Sequence, residues 1–455
     1  MKNPRHLALL ILLDVGLKKL PLDMILDSYS THLAQLSPKD RSLANALIFG
    51  VLRWQENLDW MIQCFSSRDM KQIQPNILTL LRLGLYQMVY MERIPVSAAV
   101  NTAVDIAKDI ANIGAVGFVN AVLRKASAGW KNMTPPDLES DPVNHLRIRQ
   151  SMPQWLIQRW IKRYGSAGTL DLCTHINTIP PITVRANTLK TDRQTLSLLL
   201  EADTRNLELT AHSPDGISFT HPSLPIHEIQ AFSRGLFQVQ DEAAQIVSLL
   251  LDPRPGENVL DACAGLGGKT GHLAQLMDNT GTLIAVDTST RKLSCLMDEM
   301  KRLGITIASS LQADLLTIQP EDFPATFDRI LLDAPCTGLG VLRRNPDSKW
   351  ARTAEDITRM AGQQKIMLDR AAALLKPGGV LVFAVCSSEP QENEEVILDF
   401  LKHRKNFSIS KRHDRILSTA TQRLISEDGF FRSWPGAPVM DGFFAAALVK
   451  GKDAP

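Results

Sequence analysis

The sequence predicts a multidomain chain: an all-α helical bundle first, a small α+β linking module next, and a C-terminal α/β domain on a doubly wound parallel sheet. Three observations predict it. Apolar residues recur at helical spacing from Arg5 to about Ala128. A stretch rich in proline and acid, Asn132–Pro142, breaks that pattern. After Phe237, β-branched apolar runs alternate with helical stretches, as βαβ units require. A length of 455 residues already asks for more than one core.

In the first part, Leu43, Leu47, Val51 and Trp54 fall on one helical stripe, and Ile77, Leu80, Leu81, Leu85 and Met88 on another. Pro95 has the fixed φ that opens a helix. We expect five to seven helices over residues 1–131, separable from the rest at the connector. The middle module, 145–230, combines a helix opened by Pro153 with a strand in the alternating ITVRANTL, Ile182–Leu189. In the last part, 231–455, strands are expected at Val259–Ala262, Leu283–Asp287, Ile330–Asp333 and Val380–Val385. Helices are expected between them at Thr290–Leu303 and Ala354–Leu375.

Composition narrows the function classes. A hydrophobic share of 44% with 22% charged residues excludes a mainly disordered chain. No apolar run reaches the roughly 18 residues of a membrane span, so a cytoplasmic protein with no membrane partner is expected. The six cysteines, at 64, 173, 263, 295, 336 and 386, are too far apart in sequence for zinc ribbons or redox pairs, and no metal is expected. Cys64, Cys173 and Cys295 read as small buried hydrophobes. A net charge of +2 neither demands nor excludes nucleic acid.

Chemistry concentrates after residue 258. In NVLDACAGLGGKTGHLAQL a strand ends at Asp261, a loop with Gly265, Gly267 and Gly268 follows, and a helix begins. Such a loop lets a ligand approach the backbone at the carboxyl ends of parallel strands. Its spacing matches neither the dinucleotide fingerprint nor a P-loop, because Cys263 stands where the P-loop glycine would be. The next strand ends at Asp287, placed to accept hydrogen bonds from ribose hydroxyls, and Asp314 and Asp333 follow at later strand ends. Singly, each acid is an ordinary cap or turn former; together beside a glycine loop they mark a nucleotide-like cofactor site. Cys336, in DAPCTG, and Cys386, in VCSSEPQEN, each follow a strand on the same edge and could converge. Arg343 and Arg344 are candidates for phosphate contacts, or for a structural salt bridge.

The ordered set DACAGLGGK, AVD, ADL, DAPCTG and VCSSEPQEN, with GLFQVQDEAAQ before it and DGFFAAALVK after it, resembles the S-adenosyl-L-methionine-dependent RNA 5-methylcytosine methyltransferases. The stretches DRSLANALIFGVLRW and FVNAVLRK resemble the NusB-type RNA-binding domain of the RsmB/Fmu-type branch, which modifies bacterial 16S ribosomal RNA. The likeness spans nearly the whole chain and implies a Rossmann-like catalytic domain. It implies that the cofactor lies against Cys263, Ala264, Gly265, Leu266, Gly267, Gly268 and Lys269, with Asp287, Asp314 and Asp333 completing its site. It further implies that Cys386 is the nucleophile, that Cys336 assists release, and that Asp333 contacts base or cofactor. The substrate would be single-stranded or locally opened ribosomal RNA, bound by a monomer. One departure is that Gly265 and Leu266 stand where the family has Ala-Pro.

Three other readings compete. A cytosine methyltransferase acting on tRNA or another RNA would carry the same motifs. A noncatalytic RNA-binding ribosome-assembly factor would need none of the glycines, acids or paired cysteines. A DNA cytosine enzyme would use the Pro-Cys cysteine as nucleophile and would not need Cys386.

Overall fold

The computed structural model describes residues 3–323, 325–411, 416–433 and 440–451. It divides into two compact units, Met1–Thr178 with Leu342–Thr353, and Ile179–Val341 with Ala354–Pro455.

The first unit is helical because its sequence caps and patterns helices repeatedly. Asn3, Ser37, Asn112 and Asp141 each accept a backbone N–H at a helix start, and Pro4, Pro38, Pro75 and Pro142 occupy first turns. Eight α-helices lie between Pro4 and Gly129 among the described residues, one more than the upper end of the expectation. The excess comes from Leu22–Ser28 and Ser30–Ala34, too short to show a period. Leu47, Ile48 and Val51 meet Leu80, Leu81, Leu85, Ala103 and Leu123 in one core. A Cβ on Gly84 would come within 2.9 Å of Leu123 Cδ1, so glycine sets that close helix approach.

This unit does not stop at the proline-rich connector. The helices Pro142–Arg149 and Gln154–Ile176 belong to it, with Leu146, Ile148, Leu156, Ile157 and Trp160 buried. Asn57 donates to the Ile148 carbonyl at 3.2 Å, and Arg147 pairs with Glu56. Of the module expected over 145–230, the helices up to Ile176 thus lie in the first unit, and the helix Arg193–Leu200 with the strands lies in the second. A cut at the connector would expose this apolar surface.

Residues 342–353 also fold into the helical unit. Asp347 accepts the Leu22 N–H at 3.1 Å, Trp350 Nε1 donates to the Leu52 carbonyl at 2.6 Å, and Arg53 donates to the Arg343 carbonyl at 2.7 Å. Lys349 is buried and donates to Arg53 O, Ser151 O and Asn177 Oδ1, at 3.1, 3.4 and 2.8 Å. Three acceptors match the three hydrogens of an ammonium, but burial, reinforced by the Arg53 cation, pushes Lys349 down to about 7. Arg343 is itself buried, so it is not the surface phosphate contact the sequence suggested; Arg344 is partly exposed.

The second unit holds two sheets. The small one contains β1 (Ile182–Ala186), β2 (Arg205–Leu209), β3 (Gly216–Thr220) and β4 (Phe237–Val239), antiparallel in the order β2-β3-β1-β4. The large one contains β5 (Asn258–Asp261), β6 (Thr282–Asp287), β7 (Ala308–Gln312), β8 (Phe327–Asp333), β9 (Leu375–Val385), β10 (Phe407–Ile409), β11 (Phe431–Ser433) and β12 (Phe443–Lys450). Its order is β10-β12-β9-β8-β5-β6-β7, with β11 beside β12. From β9 to β7 neighbours are parallel, as expected, while β12 runs antiparallel to β9, making the sheet mixed. The run FAAALVK is buried on both faces over most of its length, and such a run carries no sign of direction. Strand order reverses between β5 and β8, and doubly wound sheets bind ligands beside such a switch point. No helix among the described residues is long and apolar enough to cross a membrane.

Lys349 gives the helical unit a measurable pH signature. Between its folded value near 7 and an unfolded value of about 10.4, the unfolded chain binds more protons, so stability rises with pH by at most about 1.4 kcal/mol per unit. Denaturant titrations across about pH 7 to 10 should show Lys349→Met lacking this rise. Parallel profiles for the two proteins would refute it.

Candidate active site

The carboxyl ends of β5, β6, β8 and β9 define one edge, and the expected site residues gather there. Asp261, Asp287 and Asp333 are the last residues of β5, β6 and β8; Asp314 lies just past β7. The β8–β9 register pairs Asp333 with Ala384. Cys336 and Cys386 therefore emerge a few residues beyond the same rung, and their sulfurs are 3.3 Å apart although 50 positions separate them in sequence.

Both cysteine loops are held by one buried carboxylate. Glu392 accepts Thr337 N at 2.8 Å, Thr337 Oγ1 and Ser387 Oγ at 2.5 Å each, and Gln364 Nε2 at 3.2 Å. Gln364 also donates to Pro335 O at 2.9 Å. Gly340 N donates to Cys386 O at 3.0 Å, and Gly442 N to Gly340 O at 2.8 Å. A Cβ on Gly340 would sit 1.9 Å from the Gly442 carbonyl oxygen and one on Gly442 2.9 Å from Gly340 Cα, which explains a glycine at each position. Sequence reasoning assigned no role to Glu392, Thr337 or Ser387, although all lie within the quoted motifs. Gln364 sits inside a long helix with nothing in the sequence to mark it.

The glycine loop has the backbone its composition predicts. Gly265 and Gly267 have φ of +56° and +85°. The Gly265 N–H donates to Asp287 Oδ2 at 3.1 Å, and Ser289 N–H to Asp287 Oδ1 at 2.9 Å. The departure from Ala-Pro thus places a glycine at a left-handed position. Cβ atoms on Gly265 or Gly268 would meet open space, whereas one on Gly267 would lie 2.7 Å from Leu296 Cγ. Leu266 is largely exposed, Ala264 is buried, and Asp314 caps its own turn by accepting Leu316 N at 2.9 Å.

Electrostatically the edge is acidic. Asp261 is buried and pushed up to about 7, mainly by burial and also by Asp333 and Asp287, against the hydrogen bond from Thr270 at 2.7 Å. Its Oδ1 is buried with no partner among the described residues, an acceptor awaiting a donor. Burial, then the charges of Asp333, Asp261, Asp287 and Asp314, hold the Cys263 thiol well above its ordinary value. Lys269 is the cation that answers them, donating to Asp333 Oδ2 at 2.5 Å and standing 5.2 Å from the centre of the Phe443 ring. Burial alone would lower Lys269, but Asp333, Cys386 and Asp261 raise it, so it stays charged. The hydrogen bond with Cys386, then burial and Glu392, push the Cys336 thiol well up. Of the remaining cysteines, only Cys173 is the buried hydrophobe expected; Cys64 and Cys295 are exposed.

Comparison with known proteins matches three stretches of the chain to family models. Residues 248–449 match "16S rRNA methyltransferase RsmB/F", 2–128 match the NusB family, and 152–227 match the ferredoxin-like domain of RsmF/B-type methyltransferases. A ribosomal RNA small subunit methyltransferase B of Escherichia coli O6:K15:H31 (strain 536 / UPEC) is 36% identical over 91% of this chain and 92% of its own. Its counterpart in Pseudomonas putida is 33% identical over 98% of each. The crystal structure of a protein called PH0851 superposes with a TM-score of 0.81 at 27% identity, covering 98% of this chain and 99% of that one. The architecture is therefore a NusB-type helical domain, a small ferredoxin-like module and a Rossmann-like methyltransferase domain.

The loop geometry sets up a contrast between neighbouring glycines. Gly267→Ala combines a left-handed backbone with a clash on Leu296 and should lower stability by about 1–3 kcal/mol, while Gly268→Ala should stay within about 0.5 kcal/mol. Urea denaturation of the two variants checks this, and equal losses would contradict the assigned backbone.

Proposed function

This chain belongs to the 16S rRNA methyltransferase RsmB/F family, and we propose that it methylates carbon 5 of a specific cytosine in small-subunit ribosomal RNA, using S-adenosyl-L-methionine, through a cysteine adduct at carbon 6. It would act in the cytoplasm, as a monomer, on RNA that is single-stranded or locally opened, because carbon 6 must leave the base stack to meet a thiol. Residues 1–131 would supply RNA affinity. The observation that carries the reading is the pair of sulfurs 3.3 Å apart beside an acidic edge and one buried lysine.

The residues present fit the cofactor. Its sulfonium and ammonium groups are cationic, and the edge offers Asp261, Asp287, Asp314 and Asp333 with the unpartnered Asp261 Oδ1 among them. Each oxygen of Asp287 keeps a lone pair for a ribose hydroxyl beyond the backbone N–H it accepts. Open space at Gly265 and Gly268 lets a ligand reach the loop backbone. When bound, the cofactor supplies an electrophilic methyl group.

The two thiols divide the labour. The family resemblance gives the attack to Cys386, whose sulfur lies 3.3 Å from that of Cys336 and close enough to the Lys269 ammonium to interact with it. Addition of that sulfur to carbon 6 moves the ring electrons to carbon 5, which then takes the methyl group. Loss of the carbon 5 proton to a base returns the electrons and breaks the carbon–sulfur bond, with Cys336 assisting this release. Asp333, tied to Lys269, would contact the base or the cofactor.

These roles have opposite signatures. Cys336→Ala should form the adduct and resolve it slowly, leaving RNA attached to protein on denaturing gels. Cys386→Ala should form none, and the double variant should behave like Cys386→Ala because both residues act on one intermediate. Adducts in Cys386→Ala but not in Cys336→Ala would reverse the roles, and full methylation by both single variants would end the covalent mechanism. Bisulfite sequencing of RNA with and without the protein identifies the cytosine.

A further inference from the structure

We propose that Arg185, on β1 of the small module, is a positioning residue for the cofactor loop: by fixing the Gly268 carbonyl it orients the loop's backbone N–H groups and sets the affinity for S-adenosyl-L-methionine. The proposal rests on the reading of the Gly265–Lys269 loop given above.

Arg185 has no solvent exposure. Its guanidinium donates to Gly268 O at 3.0 Å, Gln275 Oε1 at 3.0 Å, Gln238 Oε1 at 2.9 Å, and Gln240 Oε1. Gly268 and Gln275 lie at the two ends of the helix that leaves the cofactor loop, so one side chain grips both. Gln238, on β4, donates in turn to Gly267 O at 3.4 Å. Two consecutive loop carbonyls are thus drawn toward the small module. In a trans peptide the N–H of the next residue points opposite to the carbonyl. Holding Gly267 O and Gly268 O therefore turns the N–H groups of Gly268 and Lys269 away from the module. These are helix-start N–H groups with no partner inside the helix, suited to an anionic or acceptor group of a ligand.

The chemistry of the grip is unusual for simple glue. None of the four hydrogen bonds goes to a carboxylate, so the charge is not cancelled by a direct partner. Burial pushes Arg185 down to about 9, with Asp215 and Glu299 countering from farther off, and it stays charged at neutral pH. The same burial, with Arg185 beside it, keeps His272 on that helix neutral. A positive charge behind a helix N-terminus adds to the field at its N–H groups.

Asn187 provides a control in the same interface. It donates to Gly235 O and Leu303 O at 2.7 and 2.8 Å and accepts from Gln275, but touches nothing in the loop. Full-length Arg185→Met, Arg185→Lys and Asn187→Ala would be compared by thermal melting and by calorimetric titration with S-adenosyl-L-methionine. Arg185→Met should raise Kd by about tenfold or more, with KM for cofactor following and KM for RNA unchanged. Arg185→Lys, which keeps a charged donor, should recover part of that loss. Asn187→Ala should lower the melting temperature and leave Kd within about twofold. A wild-type Kd in Arg185→Met, or an equal rise in Asn187→Ala, would overturn the proposal. If Arg185→Met does not fold, Gln238→Leu carries the test by removing the module's bond to the Gly267 carbonyl, which then keeps only the Gly271 N–H at 2.9 Å, and an unchanged Kd there overturns it. Wild-type protein that binds no cofactor would defeat the loop reading itself, whereas wild-type binding with unaffected variants defeats this inference alone.

Discussion

The edge that carries Cys336 and Cys386 depends on a single buried carboxylate. Glu392 accepts hydrogen bonds from the Cys336 loop, through Thr337, and from the Cys386 loop, through Ser387. Strand register brings the loops to the same rung, but register alone fixes backbone, not sulfur. Two short loops leaving adjacent strands are free to diverge, and ordering them costs conformational entropy that some interaction must offset. A buried charged acceptor shared by both loops does this, because each of its hydrogen bonds is stronger than a neutral one, and leaving any donor unmet is costly. Gln364 extends the network from a third element by tying the carboxylate to Pro335.

The same edge is tuned by an imbalance of charge. Four acids face one lysine, and low dielectric magnifies both the repulsion among acids and the attraction to cations. Asp261 absorbs part of this strain by rising to about 7, while Lys269 is locked in its charged form by Asp333. Lys269 is bonded to one of the acids, Asp333, and also feels the charge of Cys386, so among the described residues it links the acidic edge to the sulfur pair.

Much of this was legible in the sequence, and the exceptions have physical causes. Periodicity located the longer helices, whose one-sided burial leaves a repeating mark, and continuous β-branched apolar runs located β5, β6, β8 and β9. The convergence of Cys336 and Cys386 followed from both lying just past parallel strands. The direction of β12 was not readable, since an alanine-rich run buried on both faces looks the same either way. Arg185 and Lys349 were equally hidden: a lone basic residue in VRAN or DSKW has the appearance of a solvated side chain. Their partners are carbonyl and amide oxygens, 53 to 90 positions away for the side-chain amides that Arg185 meets. Neutral acceptors leave no charge pattern to find.

The membership of the helical unit is hard to read for a related reason. A proline-rich connector marks where local pattern stops, but it does not say which helices share a core. The helical unit recruits Pro142–Ile176 and then a segment, Leu342–Thr353, that follows the Cys336 loop in sequence. Lys349, Asp347 and Trp350 satisfy backbone groups of the helices ending near Arg53 and beginning at Leu22, and these groups have to be met by something once buried. The helical unit is therefore complete only when residues far along the chain have been added. Its stability and the anchoring of Leu342–Thr353 are therefore one property, because the same hydrogen bonds serve both.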